Sequence, residues 1–215
     1  MNDEELLLFN KGERLIPGVS HNNEEYIRHR SSYDFFIKII KEDSKNLDIS
    51  ILDLGCGVGW GCKLLAESLP NARVTGLDNS SDALCYAKRR YGHFRVDYGF
   101  SDMANKDNLL ILNTFSHDYI VCRGVLEHID NGLELIKYVS YDRILIFDVP
   151  YNESPGNLHH KLYNITEAMF KDWKNIEFYY EAFNDGSVSK IKQPDVNMLM
   201  CVCRTGVPLK SIKCP

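Results

Sequence analysis

Apolar residues recur along this chain in short runs separated by segments of helical period, the pattern of strands joined by crossing helices. Residues 23–41 read as a helix, with Tyr26, Tyr33, Phe36, Ile37 and Ile40 near one face. A polar connector, 41–48, leads into an apolar run at 51–54, the first strand. A second strand, 72–77, ends at Asp78; Ser80 or Asn79 can cap the helix that follows, and Gly92 can end it after Tyr91. Residues 96–100 and 117–123 read as the third and fourth strands, 133–139 as a helix, and 143–149 as a fifth strand that Pro150 ends. Thr166 can cap a short helix through Trp173. Two more strands, 176–183 and 196–203, are joined across Asp185-Gly186 and Gln193-Pro194 as a terminal hairpin. The fold expected is α/β: a Rossmann-like sheet of seven strands with helices on both faces.

The stretch 51–61, Ile-Leu-Asp-Leu-Gly-Cys-Gly-Val-Gly-Trp-Gly, changes this from a fold to a site. Glycines at alternate positions follow a buried strand and open a helix, so the backbone can turn sharply and a ligand can approach it closely. Helix N-termini also present unpaired N–H groups to an electronegative ligand. The dinucleotide spacing G-x-G-x-x-G fails, because its third glycine would fall on Trp60 or Cys62. Asp53-Leu54-Gly55-Cys56-Gly57-Val58-Gly59 instead resembles the first motif of class I S-adenosylmethionine-dependent methyltransferases. That resemblance implies that Asp53, Gly55, Cys56 and Gly57 surround the methionine part of the cofactor. Asp78, roughly 20 residues on, stands where an acidic side chain can accept the ribose hydroxyls, with Asn79 beside it. Asp102 is expected at the adenine amino group with the Met103 backbone near the ring, Asp97 being the fallback. Arg123 ends the fourth strand, and Val125-Leu126-Glu127-His128 is similar to the V-L-E-H string of many small-molecule methyltransferases. The family sheet is mostly parallel with an antiparallel last strand.

Two segments are left to choose the acceptor. The first, Gly12-Glu13-Arg14-Leu15-Ile16-Pro17-Gly18 with His21 and the helical positions 29–36, resembles methyltransferases of bacterial polysaccharide and sugar clusters. Elsewhere such an N-terminal helix closes over the cofactor, and Tyr26, His29 and Tyr33 are its candidate contacts, against a plain packing role for Tyr33 and Phe36 and a solvated position for His29; Ser32 stands where that family often has Arg. The second is the irregular stretch 150–161, carrying two Pro, one Gly and His159-His160 beyond the fifth strand, where loops overlook the cofactor's methyl group. A hydroxyl acceptor benefits from a base, and histidine suits neutral pH. His160 is preferred over His159. An amine acceptor needs only orientation, for which Glu127 or Asp148 is placed, and His128 either joins the chemistry or braces its helix. Adjacent side chains generally diverge, so His159 and His160 are not expected to share a metal ion, and none is expected.

Composition narrows the partners. The chain has 215 residues with 25 Lys plus Arg against 30 Asp plus Glu, a net charge of −5, so no broad basic face for nucleic acid is implied. The acidic start lacks a signal-peptide pattern, and no apolar run reaches the roughly 20 residues that span a bilayer. Cys56, Cys62, Cys85, Cys122, Cys201 and Cys203 fall in apolar or helical patterns without metal spacing, and read as reduced buried thiols of a cytoplasmic protein. Cys201 and Cys203 face one side of a strand. The expectation is one methyltransferase domain, 1–215, with 1–45 as helical lid, 46–150 as cofactor half and 151–215 as acceptor loop and hairpin. It would use S-adenosyl-L-methionine, leave S-adenosyl-L-homocysteine, and methylate a sugar or glycan-precursor hydroxyl or amine. The alternatives are an aromatic or quinone-like acceptor, or a cofactor-binding non-enzyme that regulates a partner.

Overall fold

In a computed structural model, the described residues are 3–10, 14–17 and 23–205. Gly12, Glu13, Gly18 and His21 lie outside them. The helices are α1 (Asp3–Asn10), α2 (Asn23–Ser44), α3 (Trp60–Ser68), α4 (Ser81–Arg90), α5 (Lys106–Leu112) and α6 (Gly132–Leu135). The strands are β1 (Ile49–Leu54), β2 (Ala72–Asp78), β3 (Val96–Phe100), β4 (Tyr119–Cys122), β5 (Ile144–Pro150), β6 (Ile176–Ala182), β7 (Val188–Ser189) and β8 (Val196–Arg204). They form one sheet in the order β3-β2-β1-β4-β5-β8-β6-β7. β1 pairs in parallel with β2 and β4, and β8 enters antiparallel between β5 and β6.

The central strands are apolar on both faces, as strands covered on both sides must be. Ile51 of β1, Ile144 and Ile146 of β5, and Met198, Met200 and Val202 of β8 face one side, where α2 and α3 supply Phe36, Ile40, Leu65 and Ala66. Their neighbours Leu52, Leu54, Leu145, Phe147, Val149, Leu199, Cys201 and Cys203 face the other, under Leu109, Leu126, Ile136 and Phe170. Cys201 and Cys203 thus share a side, as the period of two requires. Two acidic residues break the apolar pattern toward α2: Asp53 in β1 and Asp148 in β5, both fully buried.

Several local expectations are corrected. The sheet has eight strands among the described residues, because two residues at 188–189 pair with β6 across the turn that closes the hairpin. α2 runs to Ser44, so much of the polar connector is helical. The helix expected over 133–139 is α6 followed by a 3₁₀ turn, Ile136–Tyr138. Thr166 makes no capping bond, and only a 3₁₀ turn, Glu167–Phe170, follows it. Ser80 does cap α4, accepting from the Ala83 N–H, and the helix closes through the Tyr91 N–H onto Ala87, directly before Gly92. Cys85, on that helix, is exposed.

Candidate cofactor and acceptor site

The parallel strands β1, β2 and β4 end together, and beyond their carboxyl ends lies a cavity of about 330 Å³, a size suited to a small ligand. Its walls include Gly55, Cys56 and Gly57 after β1, Asp78 and Asn79 after β2, Ser101, Asp102 and Met103 after β3, and Arg123 and Gly124 after β4. Arg14, His29, Tyr33, His128 and His159 close the rest. Asp97 faces solvent, so Asp102 is the acidic residue that the cavity meets.

The glycine loop is shaped by left-handed backbone that glycine adopts without strain. Gly55 has φ +77°, and a Cβ there would fall 2.3 Å from Val125 Cγ2. Gly59 has φ +84°, with Tyr98 pressed against it. Asp78 fixes the loop from the next strand: its Oδ2 accepts from the Gly57 N–H at 2.9 Å and its Oδ1 from the Ser80 N–H at 2.9 Å. Arg14 also donates to Oδ1, at 3.3 Å. Sequence reasoning placed Arg14 in the acceptor segment, whereas the structure puts it on the carboxylate expected to take the ribose. Gly61, the last of the four glycines, leaves room for Tyr33, whose Cζ would lie 2.1 Å from a Cβ.

Asp53 does not reach the cavity. It lies behind Tyr33, Gly55 and Cys56, where its Oδ2 accepts from the Tyr33 hydroxyl at 3.1 Å and the Cys62 thiol at 3.2 Å. Its Oδ1 is buried without a hydrogen-bond partner among the described residues. Burial pushes its pKa from 3.8 to about 6. Asp148 has a similar setting at the end of β5: Oδ1 accepts from the Gly124 N–H at 2.7 Å, and Oδ2 is 3.7 Å from Arg123 Nε. Tyr33 is thus both core and cavity wall, uniting two roles that the sequence left as alternatives.

The expected catalytic residues stand at different depths. His159 and His128 line the cavity, while Glu127 and His160 stand behind them. The side chains of His159 and His160 do part. His128 donates from Nδ1 to the His159 carbonyl at 3.1 Å. His160 Nδ1 meets Glu153 Oε2 at 2.5 Å, and its Nε2 accepts from the Asn157 amide at 3.2 Å. Since the amide can only donate, His160 carries its proton on Nδ1 and gives it to Glu153. The His128 and His160 rings meet edge to face, with centroids 4.8 Å apart. Burial pushes Glu127 up to about 8. The loop around 150–161 is held to the Glu127 carbonyl by the N–H groups of Lys161 and Leu162, which is what brings His160 under His128.

Residues 51–139 match the family described as a methyltransferase domain. That segment, less than half of the chain, is similar to the class I S-adenosylmethionine-dependent methyltransferases. The matched segment runs from β1 through the V-L-E-H turn to the end of the following helical segment, and so contains the glycine loop, Asp78, Asp102 and Arg123. The trans-aconitate 2-methyltransferase of Streptomyces avermitilis is 36% identical over 112 residues, 50% of this chain and 41% of that protein. The malonyl-[acyl-carrier protein] O-methyltransferase of Bacillus cytotoxicus is 26% identical over 145 residues, 66% of this chain and 49% of that protein. The chain spans about half the length of this second relative and less of the first. Among solved structures, magnesium protoporphyrin IX methyltransferase from Synechocystis PCC 6803 with bound S-adenosylhomocysteine superposes at a TM-score of 0.63 and 17% identity, covering 94% of this chain and 93% of that one. The plantazolicin methyltransferase superposes at 0.61 and 15%, covering 94% and 89%. Both likenesses, at 15% and 17% identity, speak to the fold alone. Among the described residues, no helix is long and apolar enough to cross a membrane.

Proposed function

We propose that this domain transfers the methyl group of S-adenosylmethionine to the oxygen of a small polar acceptor, a hydroxyl such as that of a sugar or glycan precursor, seated against His128 and His159. The observation that carries the reading is the polar group Glu127–His128–His160–Glu153, which meets the cavity through His128. The cavity fits the cofactor because the left-handed Gly55 and the open face of Gly57, where a Cβ would meet only Arg14 Cγ at 3.9 Å, leave the space a ligand backbone needs. In this reading Asp78 with Asn79 holds the ribose, Asp102 and Met103 the adenine, and Gly55, Cys56, Gly57 and Arg123 the methionine part. Asp53 shapes that floor through Tyr33 and not by contact.

The cofactor supplies a methyl group already activated on a sulfonium. The chain's residues align the acceptor oxygen, exclude water and take up one proton. The acceptor's electron pair forms the new O–CH₃ bond as the S–CH₃ bond breaks and its electrons remain on sulfur. The acceptor proton leaves toward His128, which lines the cavity and whose ring is oriented by donating from Nδ1 to the His159 carbonyl. A second reading is favoured by Arg123, whose Nε is buried at the cavity wall without a hydrogen-bond partner among the described residues. An arginine there suits a carboxylate acceptor, as the names of the trans-aconitate and malonyl relatives suggest. Such an acceptor needs no base.

Labelled methyl transfer into a panel of sugar nucleotides, phenols and small polycarboxylates tests both readings. An alkali-stable ether product supports the first. An alkali-labile ester supports the second. Tight product binding without turnover on any acceptor would favour a regulatory cofactor-binding protein.

A further inference from the structure

One cluster is built beyond the needs of proton transfer. Glu127, His128 and His160 each bring one possible ligand atom to within 4.8 Å of the other two. Glu127 comes from the 3₁₀ turn Leu126–His128 after β4 and is 2% exposed. Its Oε2 is buried with no hydrogen-bond partner among the described residues, a costly state for an acceptor that nothing satisfies. The two histidines are anchored in a corresponding way. His128 gives its Nδ1 proton to the His159 carbonyl, and His160 gives its own to Glu153. A ring N–H donated to a carbonyl or carboxylate fixes the tautomer whose Nε2 lone pair can ligate, and histidines that hold metal ions are almost always oriented this way.

From this geometry we infer that Glu127, His128 and His160 form a binding site for one first-row divalent cation at the acceptor end of the cavity. Two imidazole nitrogens with one carboxylate oxygen suit zinc, manganese, cobalt or iron better than calcium or magnesium. Three protein ligands leave positions open, as at catalytic metal sites, and His128 places them beside the cavity that it lines. Ligation through His160 Nε2 replaces the Asn157 amide that now donates to it at 3.2 Å. Glu153 remains as the outer partner of His160. The consequence rests on the proposed methyl transfer: a cation there would hold the acceptor oxygen and lower the pKa of its hydroxyl, and because ligation occupies His128 Nε2, the acceptor proton would leave to His159 on the cavity wall or to water. The site's occupation does not rest on it.

Manganese titration of the chelator-treated full chain, followed by electron paramagnetic resonance, tests the inference without an acceptor. One saturable equivalent is expected, and added zinc or cobalt should displace it. Glu127→Gln, His128→Gln and His160→Gln should each weaken binding by about tenfold or more, and Glu153→Gln by about 10- to 100-fold, the range for outer-shell partners. Circular dichroism identifies any variant that fails to fold, and because His160 and Glu153 lie in a loop outside the sheet, His160→Gln and Glu153→Gln are the informative pair if Glu127→Gln does. Absence of saturable binding of manganese, cobalt and zinc alike overturns the inference. So does binding that all folded variants retain. A chain that binds no cation yet methylates a hydroxyl refutes this site and leaves the proposed activity standing; one that binds the cation and methylates no hydroxyl does the reverse.

Discussion

Asp53 offers a perturbation whose effect on stability can be worked out from its surroundings. Its carboxyl is fully buried, with two donors on Oδ2 and none on Oδ1 among the described residues. Burial raises its folded pKa from 3.8 to about 6, and the nearby Asp78 charge adds to this; the Cys62 and Tyr33 donors pull the other way but do not win. At about 1.4 kcal/mol per pH unit, the distance from 3.8 to about 6 corresponds to about 3 kcal/mol. A raised folded pKa means that the native state binds the proton more tightly than the unfolded chain. The associated stability is therefore fully present below pH 3.8 and is lost as pH rises through about 6.

Asp53→Asn removes the titration while keeping an oxygen for Tyr33 and Cys62. The constant cost of the amide N–H₂ is the same at every pH, so the difference between variant and parent isolates the carboxyl. Urea unfolding of the cofactor-free chain between about pH 4.5 and 7.5 should show the variant gaining on the parent by about 2 kcal/mol, the share of the whole that falls in that window. Nearly all of the change should lie below about pH 6.5. A stability difference that stays flat across the window would refute the claim that Asp53 is held at a pKa near 6 by its burial.

Three further outcomes follow from the site. Gly55→Ala combines left-handed backbone strain of about 1–2 kcal/mol with an overpacked contact on Val125, typically 1–3 kcal/mol, so thermal or urea unfolding should show a loss of about 2–5 kcal/mol; a neutral substitution would mean that the loop relaxes freely. Asp78→Ala removes a carboxylate that accepts from Gly57, Ser80 and Arg14, and calorimetry should find S-adenosylhomocysteine bound about 10- to 150-fold more weakly; unchanged affinity would remove Asp78 from the cofactor site. Ser80→Ala deletes the α4 cap at a cost of about 1 kcal/mol, with most of the loss expected in stability and little in cofactor affinity.

The parts of the fold that could be read from the sequence are those where one physical requirement dominates. Strands covered on both faces need unbroken apolar runs, and β1, β2, β4, β5 and β8 announce themselves that way. The second half of the hairpin was legible as strands, but β7 was not. Two residues, Val188 and Ser189, pair with Tyr180 and Glu181 because the hairpin's turn places them there, and a segment of that length has no period to detect. The turn at 126–128 was hidden, and those at 136–138 and 167–170 were read as parts of longer helices, for a related reason. Leu126, Ile136 and Phe170 are anchored in the core at single points, so burial is secured by one side chain and not by a repeating face. α5 had a local signal, Asn105 accepting from the Asp107 N–H at its start, beside a run of Leu and Ile that fits helix or strand.

The site was legible where backbone chemistry sets the residue type and obscure where side chains meet from distant segments. Gly55 and Gly57 are demanded by their left-handed φ, and Asp78 by the N–H groups it must accept, so a local string was enough. Asp53 shows the limit of that logic. Its place in the string suggested contact with the cofactor, but alternation along β1 turns its side chain toward α2, where Tyr33 meets it across the space that Gly61 leaves open. The same geometry recurs at the end of β5, where Asp148 lies beside Arg123 and the Gly124 N–H. Asp53 and Asp148, buried carboxylates each with one oxygen lacking a hydrogen-bond partner among the described residues, are costly for the fold. No hydrophobic period could reveal them, because they interrupt it. The grouping of Glu127 and His128 with His160 and Glu153 was out of reach for another reason. It depends on the loop that carries Glu153 and His160 folding back so that the Lys161 and Leu162 N–H groups reach the Glu127 carbonyl.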